Sequence, residues 1–372
     1  MTIPEICWNV VNVYGKARSP PTKKGAIRGG SGMLTAVLAG CGAMSAVWLE
    51  TIQKIEGLKL VGLVDVDRNR AQQCAERLGL RDVIVGSSLK NVLVAARPDV
   101  VFDVAIPQAR RELVTTAFEH GCDVLTEKPM ASSMEDARAI VVAARAQGRI
   151  HAVVQNRRYL ANVRRIRRFI NSQVLGKPTS IHCDFFLAPH FSGFREKMDH
   201  VLLVDMAIHT FDAARYMADA APESVYCLEW EPANSWYQSG SSAAALFKLE
   251  GGIVFNYRGS WCADGFKTSW ESTWRIVCEH GTLIWDGFDD LRAERASATR
   301  EGIFDSLERV EIAPLQAEDR VGGHLGVITD FVAAVLTRGE PETSGSDNIK
   351  SLAMVFAAVE SANSGKRVEI SI

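Results

Sequence analysis

The chain has 372 residues, 47% of them apolar and 23% charged, with 42 Lys+Arg against 44 Asp+Glu. That length predicts two domains or one large one, and the composition excludes a mainly disordered or collagen-like chain. A net charge of -2 gives no electrostatic reason to expect nucleic acid or an anionic membrane as partner, and suits small neutral or weakly charged ligands better.

Residues 1–33 carry Pro20, Pro21, Lys23, Lys24 and the run Gly29-Gly30-Ser31-Gly32, with little periodic apolar content beyond Ile6 to Val13. They read as a disordered extension. No stretch reaches the roughly 18 apolar residues that a membrane-spanning helix needs, and no basic start precedes an apolar core at the N-terminus. The eight cysteines include no C-x-x-C pair and no His at zinc-finger spacing. They read as buried thiols of a reducing compartment, so a cytoplasmic protein without a metal site is expected.

From Thr35 short apolar runs alternate with amphipathic stretches, which predicts βαβ units and a parallel sheet covered on both faces. The runs are Thr35 to Ala39, Leu58 to Asp65, Asp99 to Ala105, Asp123 to Thr126 and Ile150 to Val154. Helices are predicted over Met44 to Glu56, Asp67 to Leu78 and Met134 to Gln147, the last opening with Ser132 and Glu135 at capping-box spacing. Ala161 to Gln173 is a further helix, with Val163, Ile166, Phe169 and Ile170 on one face and Arg164, Arg165, Arg167 and Arg168 largely on the others. That basic run reads as a solvated face. Strands follow over Ser180 to Leu187, Ser224 to Trp230, Ala243 to Leu249, Ile253 to Arg258, Trp274 to Glu279 and Thr282 to Trp285, and the chain closes with helices over His324 to Thr337 and Asp347 to Asn363.

The first strand runs into Gly40-Cys41-Gly42-Ala43-Met44-Ser45 and then a helix. Gly40 permits a tight turn, and Gly42 lets a pyrophosphate approach the N–H groups of the helix start, as in a dinucleotide site. Gly40, Gly42, Ala43 and Met44 are therefore the expected cofactor contacts. Asp65 ends the second strand, 23 residues after Gly42, where a carboxylate accepts hydrogen bonds from a ribose. The alternative is a Gly-rich turn of another α/β protein, with Asp65 capping the next helix. Asp65 repels a ribose phosphate and favours NAD, while Arg68 nearby keeps NADP open.

Glu127-Lys128-Pro129 follows another predicted strand at the carboxyl edge of the sheet, where open α/β sheets bind ligands. Lys128 can reach a substrate oxygen or the cofactor ribose there, or it is simply exposed. In Asp205-Met206-Ala207-Ile208-His209 a carboxylate and an imidazole stand at i and i+4 and face one way on a helix. Such a carboxylate orients a histidine for proton abstraction. A metal pair without a third ligand, or a structural helix-face pair, fits the same spacing.

Together these segments resemble the Gfo/Idh/MocA oxidoreductases, the family of glucose-fructose oxidoreductase, inositol dehydrogenase and rhizopine catabolism. The resemblance covers about residues 34–372. It is carried by Gly40 to Ser45, Val64-Asp65-Val66-Asp67, Glu127-Lys128-Pro129-Met130, Arg158-Tyr159, Asp205 to His209 with Asp212, and Ser361 to Val368. It implies Lys128, Asp205 and His209 as the catalytic set, and Asp65 as ribose ligand. Ile106, Pro107 and Glu127 would border the cofactor, and Arg158 and Tyr159 the substrate. Two departures stand out. Pro107 is followed by Gln108, Ala109, Arg110 and Arg111, where members commonly carry a His, and His200 to Val204 replaces a common glycine run.

The expected fold is α/β: a Rossmann domain over 34–157, then over 158–372 an α/β domain with an open, mostly antiparallel sheet that binds substrate and oligomerises. The expected reaction passes hydride between a sugar, cyclitol or glycoside carbon and NAD (NADP possible), with His209 taking the hydroxyl proton, Lys128 assisting and Asp205 orienting His209. A redox-neutral glycosidase with bound NAD, a non-catalytic NAD-binding regulator and a metal-dependent hydrolase are the alternatives. Six of the eight tryptophans fall between 230 and 285, which reads as core or subunit interface and predicts a homodimer or homotetramer.

Overall fold

A computed structural model describes residues 33–372, so the N-terminal extension, Met33 apart, lies outside the described residues. Two sheets organise the chain. The first contains β1 (Leu34–Ala39), β2 (Leu58–Val64), β3 (Ile84–Gly86), β4 (Val100–Asp103), β5 (Asp123–Thr126) and β6 (His151–Val153), all parallel, in the order β3-β2-β1-β4-β5-β6. Its crossovers are α1 (Ser45–Ile52), α2 (Arg68–Arg77), α3 (Leu89–Ala96), α4 (Pro107–Glu119) and α5 (Met134–Gln147). Ala36, Val37, Leu38 and Ala39 of β1 are all buried, because helices cover both faces and no position is left for a polar residue. The strand order reverses between β1 and β4, which opens a crevice at their carboxyl ends.

The helix starts follow local chemistry. Asp67 caps α2 by accepting the Asn69 N–H at 3.0 Å. α5 is capped by Ser133, whose hydroxyl accepts the Asp136 N–H at 3.1 Å, one residue later than the predicted Ser132. The two serines carry acids at the same spacing, Glu135 and Asp136, and Ser132 instead donates to the Asp136 carboxylate at 3.4 Å.

After α6 (Ala161–Asn171) the chain builds a nine-stranded sheet from β7 (Pro178–Phe186), β8 (Pro222–Trp230), β9 (Ser242–Leu249), β10 (Val254–Ser260), β11 (Thr273–Cys278), β12 (Gly281–Trp285), β13 (Leu291–Glu301), β14 (Phe304–Val310) and β15 (Val368–Glu369). Its order is β14-β13-β12-β11-β7-β10-β9-β8-β15, antiparallel except where β7 meets β10. β13 and β14 carry many charged and few apolar residues at the open edge, which is why hydrophobic patterning did not mark them. One face packs on α7 (Ile208–Ala218) and on the long helix α9 (Gly345–Ser364). On the opposite face Tyr226, Leu228, Trp230, Leu246 and Val254 stand exposed.

The α6 arginines are tied to their surroundings. Arg164 pairs with Glu342, Arg167 with Asp219 and Arg168 with Asp319, and Arg165 donates to the Ile312 and Ala313 carbonyls. The other late helix, α8 (His324–Thr337), falls in the 158–372 segment by sequence but packs under the first sheet. Its Val327, Ile328, Phe331, Val332 and Val335 share one core with Ala36, Leu38, Trp48, Phe102 and Leu125.

Candidate active site

The dinucleotide loop sits at the mouth of the crevice. Gly40 has φ +98°, and a Cβ there would lie 2.6 Å from the Ala105 nitrogen, so only glycine passes beneath the β4 loop. At Gly42 a Cβ would meet nothing within 4 Å. The space before this turn is open, and with the start of α1 behind it, at Ala43 and Met44, it suits a pyrophosphate. Ser45 replaces a third glycine and donates to the Gly42 carbonyl at 2.6 Å. The Asp65 carboxylate accepts the Cys41 N–H at 2.8 Å and the Asp67 N–H at 3.0 Å, which fastens the end of β2 to the loop. Its nearest cation is Arg70 at 3.6 Å. Arg68, the residue singled out from sequence, instead lies with Nε 3.4 Å from the Val85 carbonyl.

The loop after β4 is held by a buried pair that sequence reasoning missed. Arg110 Nε lies 3.4 Å from Asp103, and its terminal nitrogens donate to the Ala105 carbonyl at 2.7 Å and to the Pro129 carbonyl. Arg110 thereby ties the β4 loop to the Glu127-Lys128-Pro129 turn after β5. Burial pushes the Asp103 carboxyl up, against the pull of Arg110. Ile106 is exposed beside this loop and Pro107 opens α4. Glu127 accepts a hydrogen bond from the Trp48 indole at 3.1 Å.

Lys128 Nζ reaches across to the second domain and donates to the Asp205 carbonyl at 2.8 Å and to Asp205 Oδ1 at 2.9 Å. Arg195 Nε donates to the other oxygen, Oδ2, at 2.7 Å. Burial raises the Asp205 carboxyl, but the two cations outweigh it and hold it at about 2. The expected Asp205–His209 contact is absent among the described residues. Leu202–Ala207 forms a π-helical turn before α7 begins, and the Asp205 carboxylate turns to Lys128 and Arg195, which take both of its oxygens. With both oxygens bound to cations, Asp205 is also a poor metal ligand. His209 Nδ1 is buried without a partner, and burial, then the charges of Lys128 and Arg157, push its pKa well below the ordinary value. The imidazole is therefore neutral near pH 7.

Sequence reasoning also missed His324, the first residue of α8. The Gly322 and Gly323 N–H groups donate to the Tyr159 carbonyl at 2.9 and 3.3 Å and hold the start of α8 at the domain junction. Its Nδ1 is 3.5 Å from Asn156 Nδ2, its ring meets Trp48 edge-on, and Nε2 is buried with no partner. Burial lowers its pKa, and the charge of Lys128 acts on it as it does on His209. Nothing in the sequence links a histidine at position 324 to residues 128 and 209. Two orphaned imidazole nitrogens near one lysine are costly in a folded chain, about 1–3 kcal/mol each, and suit a site completed by a bound molecule. With the open Gly42 turn and Asp65, these residues fit a nicotinamide dinucleotide.

Arg158 and Tyr159 take a different place from the one expected. Arg158 is buried and donates to Asp212 at 2.8 and 2.6 Å, to Asp347 at 2.8 Å and to the Glu342 carbonyl at 3.0 Å. Tyr159 is buried and donates to Asp330 at 2.7 Å. Both polar groups are fully engaged in the seam between the domains, so neither faces a substrate, and Asp212 is explained as the partner of Arg158. Beside them Arg157 lines the site, pairing with Glu271 at 3.2 Å and donating to Thr210 Oγ1 at 3.1 Å. Three histidines that precede Asp205 in the chain are engaged elsewhere: His182 with Ser180, His190 stacked on Trp236, and His200 with Glu229. Of the clustered tryptophans, 261, 274 and 285 are core, 236 and 270 are half-buried, and Trp230 is exposed on the open sheet face.

Residues 34–155 match the oxidoreductase family with an NAD-binding Rossmann fold, and residues 163–284 match the GFO/IDH/MocA C-terminal domain. The chain belongs to this family. Similar proteins include the D-apiose dehydrogenase of Paraburkholderia graminis, 25% identical over 90% of this chain and 88% of that one. The 1,5-anhydro-D-fructose reductase of Ensifer adhaerens is 22% identical over 90% and 97%. Among solved structures, an Agrobacterium radiobacter oxidoreductase in complex with NAD+, L-tartaric acid and magnesium superposes with a TM-score of 0.79 at 21% identity, covering 91% of this chain and 98% of the other. This Gfo/Idh/MocA member is thus an oxidoreductase whose first domain is an NAD-binding Rossmann fold. No helix among the described residues is long and apolar enough to cross a membrane.

Proposed function

We propose that the protein is a dehydrogenase that takes hydride from a hydroxyl-bearing carbon of a sugar, polyol or glycoside, with NAD preferred to NADP. The observation that carries this reading is the Lys128–Asp205 ion pair, 2.9 Å long, at the carboxyl end of β5 in the crevice onto which the dinucleotide loop opens. The names of the sugar-active relatives support the substrate class. Bound NAD supplies the hydride acceptor. Lys128 Nζ directs two of its hydrogens at Asp205, which leaves a third for a substrate oxygen. An ammonium held there by Asp205 stabilises the oxygen as it loses its proton. His209, kept neutral by burial and by nearby cations, is the group that accepts that proton. Asp65 adds negative charge where a 2′-phosphate would approach, which disfavours NADP.

The test is a screen of NAD reduction across sugars, cyclitols and glycosides, repeated with Lys128→Ala and His209→Ala. Each variant is expected to lower turnover about 10²-fold or more, with NAD affinity changed much less for His209→Ala. Near-wild-type turnover by both variants would refute the assignment.

A further inference from the structure

Arg195 is a cation of the site that the proposed reaction leaves without a task. It opens a short 3₁₀ turn, Arg195–Lys197, in the segment between β7 and the π-helical turn. Nε is fixed on Asp205 Oδ2 at 2.7 Å, whereas the two terminal nitrogens donate to no group among the described residues. The side chain is 28% exposed, against 13% for Asp205.

Arg195 is held on three sides. Its guanidinium carbon lies 5.0 Å from the Phe191 ring centre and 4.9 Å from that of Phe194, so two aromatic rings and a carboxylate fix its orientation. The segment carrying it is itself anchored. The Trp236 indole donates to the Pro189 carbonyl at 3.3 Å, and the Gln238 N–H to the Glu196 carbonyl at 2.8 Å. The entropy of ordering this guanidinium is thus already lost before any ligand arrives. Neutralising Asp205 does not require it, because Lys128 already does so. What an arginine adds over a second lysine is a planar edge of paired N–H groups that matches a carboxylate bidentately. Phe194, whose ring lies against the guanidinium, is 65% exposed and offers an apolar face for the C–H side of a sugar.

We propose that the substrate is a sugar acid, whose carboxylate docks on the free edge of Arg195 while its hydroxyl reaches Lys128 and His209. This rests on the dehydrogenase reading and narrows it to hydroxylated chains or rings bearing one carboxylate.

The experiment measures binding without relying on turnover. Saturation-transfer NMR on the NAD-loaded protein compares gluconate with glucitol and glucuronate with glucose. The acids are expected to bind about tenfold or more tightly than their neutral partners, with the advantage shrinking as ionic strength rises. Arg195→Gln is expected to abolish the preference by weakening the acids alone, and Arg195→Lys to restore part of it. Equal or weaker binding of the acids, or a loss on Arg195→Gln that is the same for acid and neutral compounds, would overturn the proposal and leave Arg195 as a positioning residue for Asp205. Failure to bind NAD in the same samples would overturn the dehydrogenase reading itself. NAD binding without a carboxylate preference overturns the sugar-acid assignment alone.

Discussion

Gly40 and Gly42 stand two residues apart in one loop, yet alanine at each is expected to fail in a different way. At Gly40 an added Cβ meets the backbone of Val104 and Ala105 at 2.6 Å, and φ is +98°. Backbone atoms cannot rotate aside, and a left-handed conformation alone costs an L-residue roughly 1–2 kcal/mol. Gly40→Ala should therefore lose at least about 2 kcal/mol of stability, seen as a lower midpoint in urea, with NAD affinity falling as a consequence of the displaced loop. Gly42→Ala meets nothing within 4 Å and has no positive φ. Its melting curve should match the wild type within about 0.5 kcal/mol, the scale of unstrained surface changes. Its methyl group would nevertheless project into the space assigned to the pyrophosphate and block the close approach of charged oxygens to the backbone. Losing one or two charge-assisted hydrogen bonds corresponds to roughly a ten- to hundredfold weaker Kd. Paired urea melts and calorimetric NAD titrations separate the two effects. Wild-type NAD affinity in Gly42→Ala would refute the placement of the pyrophosphate at this turn, and unchanged stability in Gly40→Ala would refute the steric account of the loop.

The buried histidines make the fold acid-sensitive. Burial pushes His151 down to about 3 and lowers His209 and His324 as well, so the unfolded chain binds protons that the folded one refuses. Stability is full above about pH 6.5 and falls as pH drops below it, by up to about 1.4 kcal/mol per pH unit for each such histidine. His200, raised by its bond to Glu229, works in the opposite direction but is one against three. Urea melts at about pH 7.5 and pH 5 check this, and a flat profile would reject it. Because the His209 pKa is depressed, the acid limb of the oxidation rate should also lie below pH 6.5, and a limb above 7 would exclude His209 as the base. Asp65→Ser should narrow the preference for NAD over NADP, with Arg70 at 3.6 Å left to meet a phosphate; an unchanged ratio in calorimetry would remove Asp65 from that role. The exposed row Tyr226, Leu228, Trp230 and Leu246 should be covered by a second copy of the chain, which light scattering at micromolar concentration tests, and a monomeric mass would reject it.

Five strands of the first sheet were readable because buried parallel strands are continuous apolar runs and their helices start on capping residues such as Asp67; the edge strand β3, three residues long and only partly buried, was not. The second sheet was readable wherever one face is core, and unreadable at β13 and β14, where charged residues cover an open edge. In the site, Lys128 and the glycine loop follow from position relative to strands, which patterning supplies. The Asp205–His209 pair was misjudged because i,i+4 spacing shows which side chains can meet and not which competitors reach them first: Lys128 and Arg195, 77 and 10 residues away, take both Asp205 oxygens. Arg158 was placed at the substrate by resemblance alone, and its structural partners, Asp212 and Asp347, are 54 and 189 residues away, so no local pattern pointed to them. His324 and Arg195 were invisible for the same reason: each reaches the site only through the packing of elements distant in the chain.

The packing of α8 beneath the first sheet bears on how this protein is made. A ribosome that has released everything up to the end of β6 has supplied every strand of the Rossmann sheet, but not the helix carrying Phe331 that closes one of its faces. Until residue 337 emerges, Leu38, Phe102 and Leu125 lack that cover, and the half-finished sheet keeps apolar surface open to water. The same dependence means that the cofactor-binding half cannot be cut out or grafted as a contiguous cassette; any transplant would have to carry α8 with it, spliced on by a new connection.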